Sequence, residues 1–256
     1  MRLKDKVAIV TGGSHGIGNA FVRGYAREGA KVVIASYIDF PTAKMTEDAL
    51  REEGKEALAI KVDVSNNDQT LEMARKAVER FGRIDILVNN AAVYLRDKIS
   101  KGVPFNELSL DEWDKVMTVN VKGPFLCCRA VFPYMKVQGS GSIINIASGQ
   151  FYKGGGNIKY AHYVACKGAV IGLTRALARE MGQFNINVNC IAPGSTYTED
   201  PSEEARKMRE RVINERCLKR IEYPEDLVGA AVFLASSDSD FITGQIISVD
   251  GGSVFI

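Results

Sequence analysis

VAIVTGGSHGIG (7–18) sets four apolar residues against a turn that holds four glycines. An apolar run this short, without alternation, reads as a strand buried on both faces. The glycines mark a turn where the backbone bends sharply and approaches something that a Cβ would keep away. The next stretch, NAFVRGYAREG (19–29), has helical spacing and ends in glycine, where a helix stops. A helix starting at this turn aims its free N–H groups and positive dipole end at whatever occupies the turn. A pyrophosphate suits that place: Gly12, Gly16 and Gly18 leave room for it, and Ser14, His15 and Ile17 complete the cradle.

The same alternation continues along the chain. Apolar bursts recur at KVVIAS (31–36), ALAIKV (57–62), IDILV (84–88), SIINIA (142–147), INVNCIA (186–192) and QIISV (245–249). Between them lie amphipathic stretches such as SNNDQTLEMARKAVERFG (65–82) and YVACKGAVIGLTRALAREMG (163–182). The βαβαβ order predicts an α/β fold, a doubly wound parallel sheet, in a single domain over 1–256. Two segments interrupt the rhythm, 94–104 after the fourth strand and 150–159 after the fifth. Both follow the carboxyl ends of strands, where open α/β sheets bind ligands, so both are expected to wall a pocket, with a lid near 195–217.

Composition narrows the partners. Of 256 residues, 33 are basic and 31 acidic, so the charge balance calls for neither nucleic acid nor an anionic membrane, and small, weakly charged ligands fit better. The five cysteines form no CxxC pair and no His-rich cluster, which predicts free thiols in the cytoplasm and no metal site. The N-terminal apolar run is too short for a signal-peptide core, and no later run approaches membrane-spanning length.

The tip of the second strand discriminates between dinucleotides, because a carboxylate there would bond the ribose hydroxyls and repel a 2′-phosphate. Here the strand ends in Ala35, Ser36 and Tyr37, with Asp39 arriving late. The Ser36 hydroxyl and the His15 imidazole are expected to accept a 2′-phosphate, which tips the reading slightly toward NADP over NAD.

YAHYVACKGA (160–169) carries the chemistry. On a helix, Tyr163 and Lys167 lie about 40° apart around the axis and about 6 Å apart along it, so they share a face. Tyr160 would sit about 10 Å from Lys167 along the axis, which makes it a pocket wall. His162 points elsewhere and is expected at the surface or an oligomer contact. A phenol with a pKa near about 10 needs a neighbouring cation to act as an acid–base group at neutral pH, and Lys167 supplies one. Ser148, at the end of SIINIA, stands where a strand-end hydroxyl meets Tyr163 and holds a substrate oxygen.

Together, TGGSHGIG, NNAA (89–92), Asn120 in VNVKG (119–123), Ser148, YVACK (163–167) and the PG of 193–194 resemble the classical short-chain dehydrogenase/reductase family, from Lys6 to the VDGG of 249–252. The resemblance implies a Rossmann-type oxidoreductase, usually a homotetramer, that uses NAD or NADP without a metal. It implies that Tyr163 is the general acid–base residue, that Lys167 lowers its pKa and binds the nicotinamide ribose, and that Asn120 anchors a water in a proton relay. Asn90, Asp63 and Val64 would lie on the adenosine side, and Pro193, Gly194 and Thr196 near the nicotinamide amide. Three departures stand out: Ala92 replaces a usual glycine, Thr196 a usual Ile or Val, and the interval from Ser148 to Tyr163 is longer than usual, with GGG (154–156) available to absorb it.

The expected reaction interconverts a secondary alcohol and a ketone. Tyr94, Gln150, Phe151, Tyr160 and Tyr197 would line the substrate pocket, an aromatic set that suits an uncharged aryl or cyclic substrate. Lys98, Lys101, Lys153 and Lys159 suit instead a sugar or polyol dehydrogenase. A non-catalytic nucleotide-sensing or binding protein is the alternative of another class, and it has no chemical need for Ser148, Tyr163 and Lys167 together.

Overall fold

Strand β1 (Val7–Thr11) is buried at every residue, and its successive side chains enter two different cores. Ala8 and Val10 join one cluster and Ile9 the other. The same division holds in β2 (Lys31–Ser36), where Val32 and Ile34 oppose Val33 and Ala35, and in β4 (Ile86–Asn89), where Ile86 and Val88 oppose Leu87. A strand with two apolar faces needs helices on both sides, which is why these runs show no alternation in sequence.

The computed structural model describes residues 1–93, 102–155, 159–198 and 203–256. Tyr94, Lys98 and Lys101 of the first insertion, residues 156–158 of the second and residues 199–202 of the lid segment lie outside the described residues. With β3 (Ala57–Lys61), β5 (Gly141–Ile146), β6 (Ile186–Pro193) and β7 (Ile246–Val249), the strands form one seven-stranded sheet in the order β3-β2-β1-β4-β5-β6-β7. Every neighbouring pair is parallel. Helices α1 (Gly16–Arg27), α2 (Phe40–Glu52) and α8 (Glu225–Ala235) supply one core; α3 (Asn67–Phe81), α5 (Gly123–Gln138) and α6 (Ala161–Met181) supply the other. This is the doubly wound, Rossmann-type α/β fold that the βαβαβ pattern predicts.

Two further helices bear on the site. Helix α4 (Leu110–Met117) runs into α5 through a π-helical turn, Thr118–Lys122, and α7 (Glu203–Glu215) lies between β6 and α8. The chain proceeds from β1 outward to β3, then returns to place β4 on the other side of β1. The strand order therefore reverses between β1 and β4, and the crevice outside their carboxyl ends is where such sheets take ligands.

Candidate active site

The glycine turn is built without room for side chains. Gly12 and Gly16 adopt positive φ, 65° and 55°. A Cβ on Gly18 would lie 2.1 Å from the Gly12 carbonyl oxygen, and one on Gly12 would lie 2.9 Å from Cα of Ala91. Helix α1 begins at Gly16, inside this turn, as the sequence reading expects. Its N-cap, His15, makes no side-chain capping bond, whereas α2, α3 and α4 are capped by Asp39, Asn66 and Ser109. The first N–H groups of α1 are thus left to an external acceptor, as an anion site requires. Asn90 braces the turn by donating through Nδ2 to the carbonyls of Thr11 and Gly12 at 3.0 and 3.1 Å. These residues fit a dinucleotide pyrophosphate.

From the turn a cavity of about 690 Å³ extends past Ser36, Asp63 and Val64, and on to Asn90 and Thr198. At the Ser36 end the polar groups bond one another. Ser36 is buried, and its Oγ donates to Ser14 Oγ at 3.1 Å, so that proton is already engaged. Ser14 Oγ in turn lies 2.8 Å from His15 Nδ1, and Asp39 Oδ2 stands 3.9 Å from the same nitrogen. Tyr37 projects from this rim, 53% exposed. Asp63 Oδ1 is held by the backbone N–H and hydroxyl of Ser65 at 2.9 and 2.7 Å.

Tyr163 and Lys167 lie one turn apart on α6, with Lys167 Nζ 5.6 Å from the Tyr163 ring centroid. Lys167 is 5% exposed and donates to the Ile146 carbonyl at 2.7 Å, on the strand that leads to Ser148. Burial pulls its pKa below the ordinary lysine value, with the Cys166 and Cys190 thiols opposing. Ser148 is also buried, and its Oγ accepts from the Gln150 N–H at 3.2 Å as the cap of the short helix Gly149–Phe151. Asn120 sits on the π-helical turn, and its amide is engaged by Val93: Nδ2 donates to the Val93 carbonyl at 3.1 Å and Oδ1 accepts from its N–H at 2.7 Å.

Residues 12–254 match the family described as Enoyl-(Acyl carrier protein) reductase. The chain is 38% identical over 261 residues to the 3-oxoacyl-[acyl-carrier-protein] reductase FabG of Thermotoga maritima, covering 99% of this chain and all of that one. It is 36% identical over 252 residues to the (2S)-[(R)-hydroxy(phenyl)methyl]succinyl-CoA dehydrogenase subunit BbsD of Thauera aromatica, covering 98% of each. It is 39% identical over 253 residues to the 2-dehydro-3-deoxy-D-gluconate 5-dehydrogenase of Dickeya dadantii, covering 98% of this chain and 96% of that one. The chain belongs to the classical short-chain dehydrogenase/reductase family. It is accordingly an oxidoreductase that works with NAD or NADP.

Within this short-chain dehydrogenase/reductase the residues expected to line a substrate pocket are unevenly placed. Tyr160 is buried at the N-cap of α6, its ring centroid 6.0 Å from that of Tyr163. Phe151 lies against α6 at Gly168, where a Cβ would fall 2.7 Å from its ring. Tyr197 packs against Tyr223 at 6.0 Å, and Gln150 buries Oε1 without a hydrogen-bond partner. Gly154 and Gly155 both take positive φ in the lengthened interval from Ser148 to Tyr163, and Gly156 lies outside the described residues. His162 is a correction: it is 8% exposed, not a surface residue, and burial lowers its pKa while Glu112 opposes. Sequence reasoning also passed over Thr11, whose hydroxyl accepts from the N–H groups of Asn90 and Ala91 at 3.0 and 3.1 Å. A hydroxyl at the last residue of β1 was its signal. Pro193 ends β6, and Gly194 N–H donates to the Val249 carbonyl at 3.1 Å. Thr196 hydrogen-bonds Glu222, a residue with no motif around it. Among the described residues no helix is long and apolar enough to cross a membrane.

Proposed function

We propose that this enzyme interconverts a secondary alcohol and a ketone, with Tyr163 exchanging the hydroxyl proton. The observation that carries this reading is the half-buried phenol of Tyr163 beside the buried ammonium of Lys167, one turn apart on α6. When bound, the nicotinamide supplies or takes up the hydride. Lys167, steadied by the Ile146 carbonyl, favours the phenolate that accepts a proton from an alcohol. Ser148 Oγ accepts from the Gln150 N–H and keeps its own proton as a donor to the substrate oxygen, where it stabilises developing negative charge. The Asn120 amide is engaged by Val93, so any water it anchors is held through the backbone of the π-helical turn, where carbonyls leave the regular ladder.

For the cofactor we favour NAD. The Ser36 proton is engaged inside the fold and the rim carries the Asp39 carboxylate beside His15, which is poor company for a 2′-phosphate. For the substrate we favour an uncharged aryl or cyclic alcohol, on Tyr160 beside Tyr163. A sugar or polyol is the second reading: the unpartnered Gln150 Oε1 is an acceptor for a substrate hydroxyl, and the Dickeya dadantii relative is named for a sugar acid. We assign the enzyme to the cytoplasm on its free cysteines. Phe255 and Ile256, exposed at the C-terminus, we assign to contacts of a homotetramer, for which a light-scattering mass above the 28.0 kDa chain is the check.

The test is a panel of alcohols and ketones assayed with both cofactors. Tyr163→Phe should cut turnover by roughly 10²–10⁴-fold while dinucleotide affinity holds, the range expected for loss of an acid–base group. Tyr160→Phe should do far less. Equal losses from the two variants would remove Tyr163 from its role.

A further inference from the structure

Between β6 and α8 the chain makes the excursion that contains α7, and the legs of that excursion meet at one buried ion pair. Arg216 directly follows α7 and Glu222 precedes α8, and they are 3% and 4% exposed. Arg216 Nη1 lies 3.6 Å from Glu222 Oε2, and Nη2 donates to the Ser195 carbonyl at 3.3 Å. Glu222 Oε1 accepts from the Thr196 hydroxyl at 2.7 Å, and the Glu222 carbonyl accepts from the Tyr197 N–H at 2.8 Å. Three consecutive residues, Ser195 to Tyr197, are therefore gripped from behind by the same two.

Stability alone does not account for this pair. Both ions are removed from water, yet Arg216 Nε and Glu222 Oε2 are left without a hydrogen bond, and apolar side chains of similar volume commonly serve a buried site as well or better. Burial also pushes the Glu222 carboxyl pKa up, against the Thr196 hydroxyl and the Arg216 charge, which both lower it. What the pair adds is direction, since its hydrogen bonds fix one short segment of backbone in place. The carboxylate reaches that segment because residue 194 is glycine: a Cβ there would fall 2.5 Å from Glu222 Oε2.

The gripped segment leads to the dinucleotide cavity. Thr198 lines the cavity, and a Cβ on Gly16 in the cradle would fall 3.3 Å from Thr198 Cγ2. In the sheet order β6 lies three strands from β1, on the side away from β2 and its adenosine rim. Segment 195–198 thus adjoins the half of the site opposite the adenosine. We propose that Arg216 and Glu222 are positioning residues that set segment 195–198 for the nicotinamide half of the bound dinucleotide. This inference rests on the dinucleotide reading above.

The experiment compares the equilibrium affinity for NAD with that for ADP-ribose, which lacks the nicotinamide. Thr196→Val removes only the hydroxyl that Glu222 holds, Glu222→Gln keeps an acceptor for it, and paired Arg216→Met with Glu222→Leu replaces both charges by apolar groups. Thr196→Val and the paired variant should raise the ratio of NAD to ADP-ribose dissociation constants by about tenfold, the size of one well-made hydrogen bond. Glu222→Gln should hold the ratio near wild type although its Tm falls, because it leaves Arg216 buried and unpaired. A paired variant that folds with the wild-type ratio would overturn the proposal, as would an equal loss of both ligands, which would mean general damage to the cradle. Should the wild type bind neither of these ligands nor NADP, the dinucleotide reading itself fails. Should it bind both while the ratio never moves, only the positioning role fails.

Discussion

At the β1 turn the backbone does the holding and glycine makes room for it; at the β6 turn side chains do the holding. The first turn ends in an uncapped helix with N–H groups aimed outward, and its supports are short-range: the Thr11 hydroxyl accepts from the Asn90 N–H, and Asn90 Nδ2 donates to the Thr11 carbonyl on the neighbouring strand. The second has Gly194, a segment gripped by Arg216 and Glu222, and long stretches of chain between the partners. Steric exclusion is local and nearly absolute, so a single side chain can abolish it. A buried ionic grip is distributed, so its loss should detune the site and leave it standing.

The largest expected effect breaks the first turn. In Gly18→Ala the new Cβ would fall 2.1 Å from the Gly12 carbonyl oxygen and 2.6 Å from Asn90 Nδ2, so the turn must open. Overpacking of this kind costs about 1–3 kcal/mol where the surroundings can shift, and here the obstacle is backbone. Dinucleotide affinity, followed by fluorescence titration, should fall by roughly 10²-fold, about 2.7 kcal/mol. A variant that binds as tightly as wild type would mean that the cradle is not where the phosphates sit.

That contrast also explains what the sequence made legible. A glycine turn announces itself because the residues that build it are consecutive, and Tyr163 and Lys167 do so because helical geometry places them together at i and i+4. The central strands β1, β2 and β4 were readable because burial on both faces leaves them nearly free of polar residues. Glu222 and Arg216 were not readable: each has ordinary surface chemistry in its own neighbourhood, and only the return of the chain brings them to Thr196. His162 was misjudged for a related reason. Helical phase shows that it leaves the Tyr163 face, but not that α4 packs there. Ser36 was placed correctly at the strand tip, yet the engagement of its hydroxyl by Ser14 lies across a turn that periodicity does not describe.

A middle-sized effect tests whether the adenosine rim belongs with the steric turn or with the electrostatic one. Asp39→Asn removes a charge 3.9 Å from His15 and keeps a good N-cap for α2, where Asp39 accepts from the Thr42 N–H at 3.4 Å. Affinity for NADPH should improve relative to NADH by about threefold to tenfold at low salt, and the gain should shrink as salt screens the rim. No change in the ratio would mean that the carboxylate does not face the ribose.

The smallest effect separates the buried grip from its exposed neighbour. Lys153, in the segment that follows Ser148, donates to the Ser253 hydroxyl and lies 3.5 Å from Glu215 Oε2 at the end of α7, so on paper it also fastens the excursion that contains α7. Its side chain is 24% exposed and that of Glu215 is 43% exposed, against 3% and 4% for Arg216 and Glu222. Solvent weakens the first pair through screening and through the entropy of holding long side chains, and such pairs contribute about 0–1 kcal/mol. Lys153→Met should therefore shift the dissociation constant of either ligand by less than about twofold and lower Tm only slightly, with the dinucleotide to ADP-ribose ratio unchanged. If Lys153→Met instead moves that ratio as far as Thr196→Val does, the excursion is fastened at its exposed side, and the distinction between a distributed grip and a single buried one collapses.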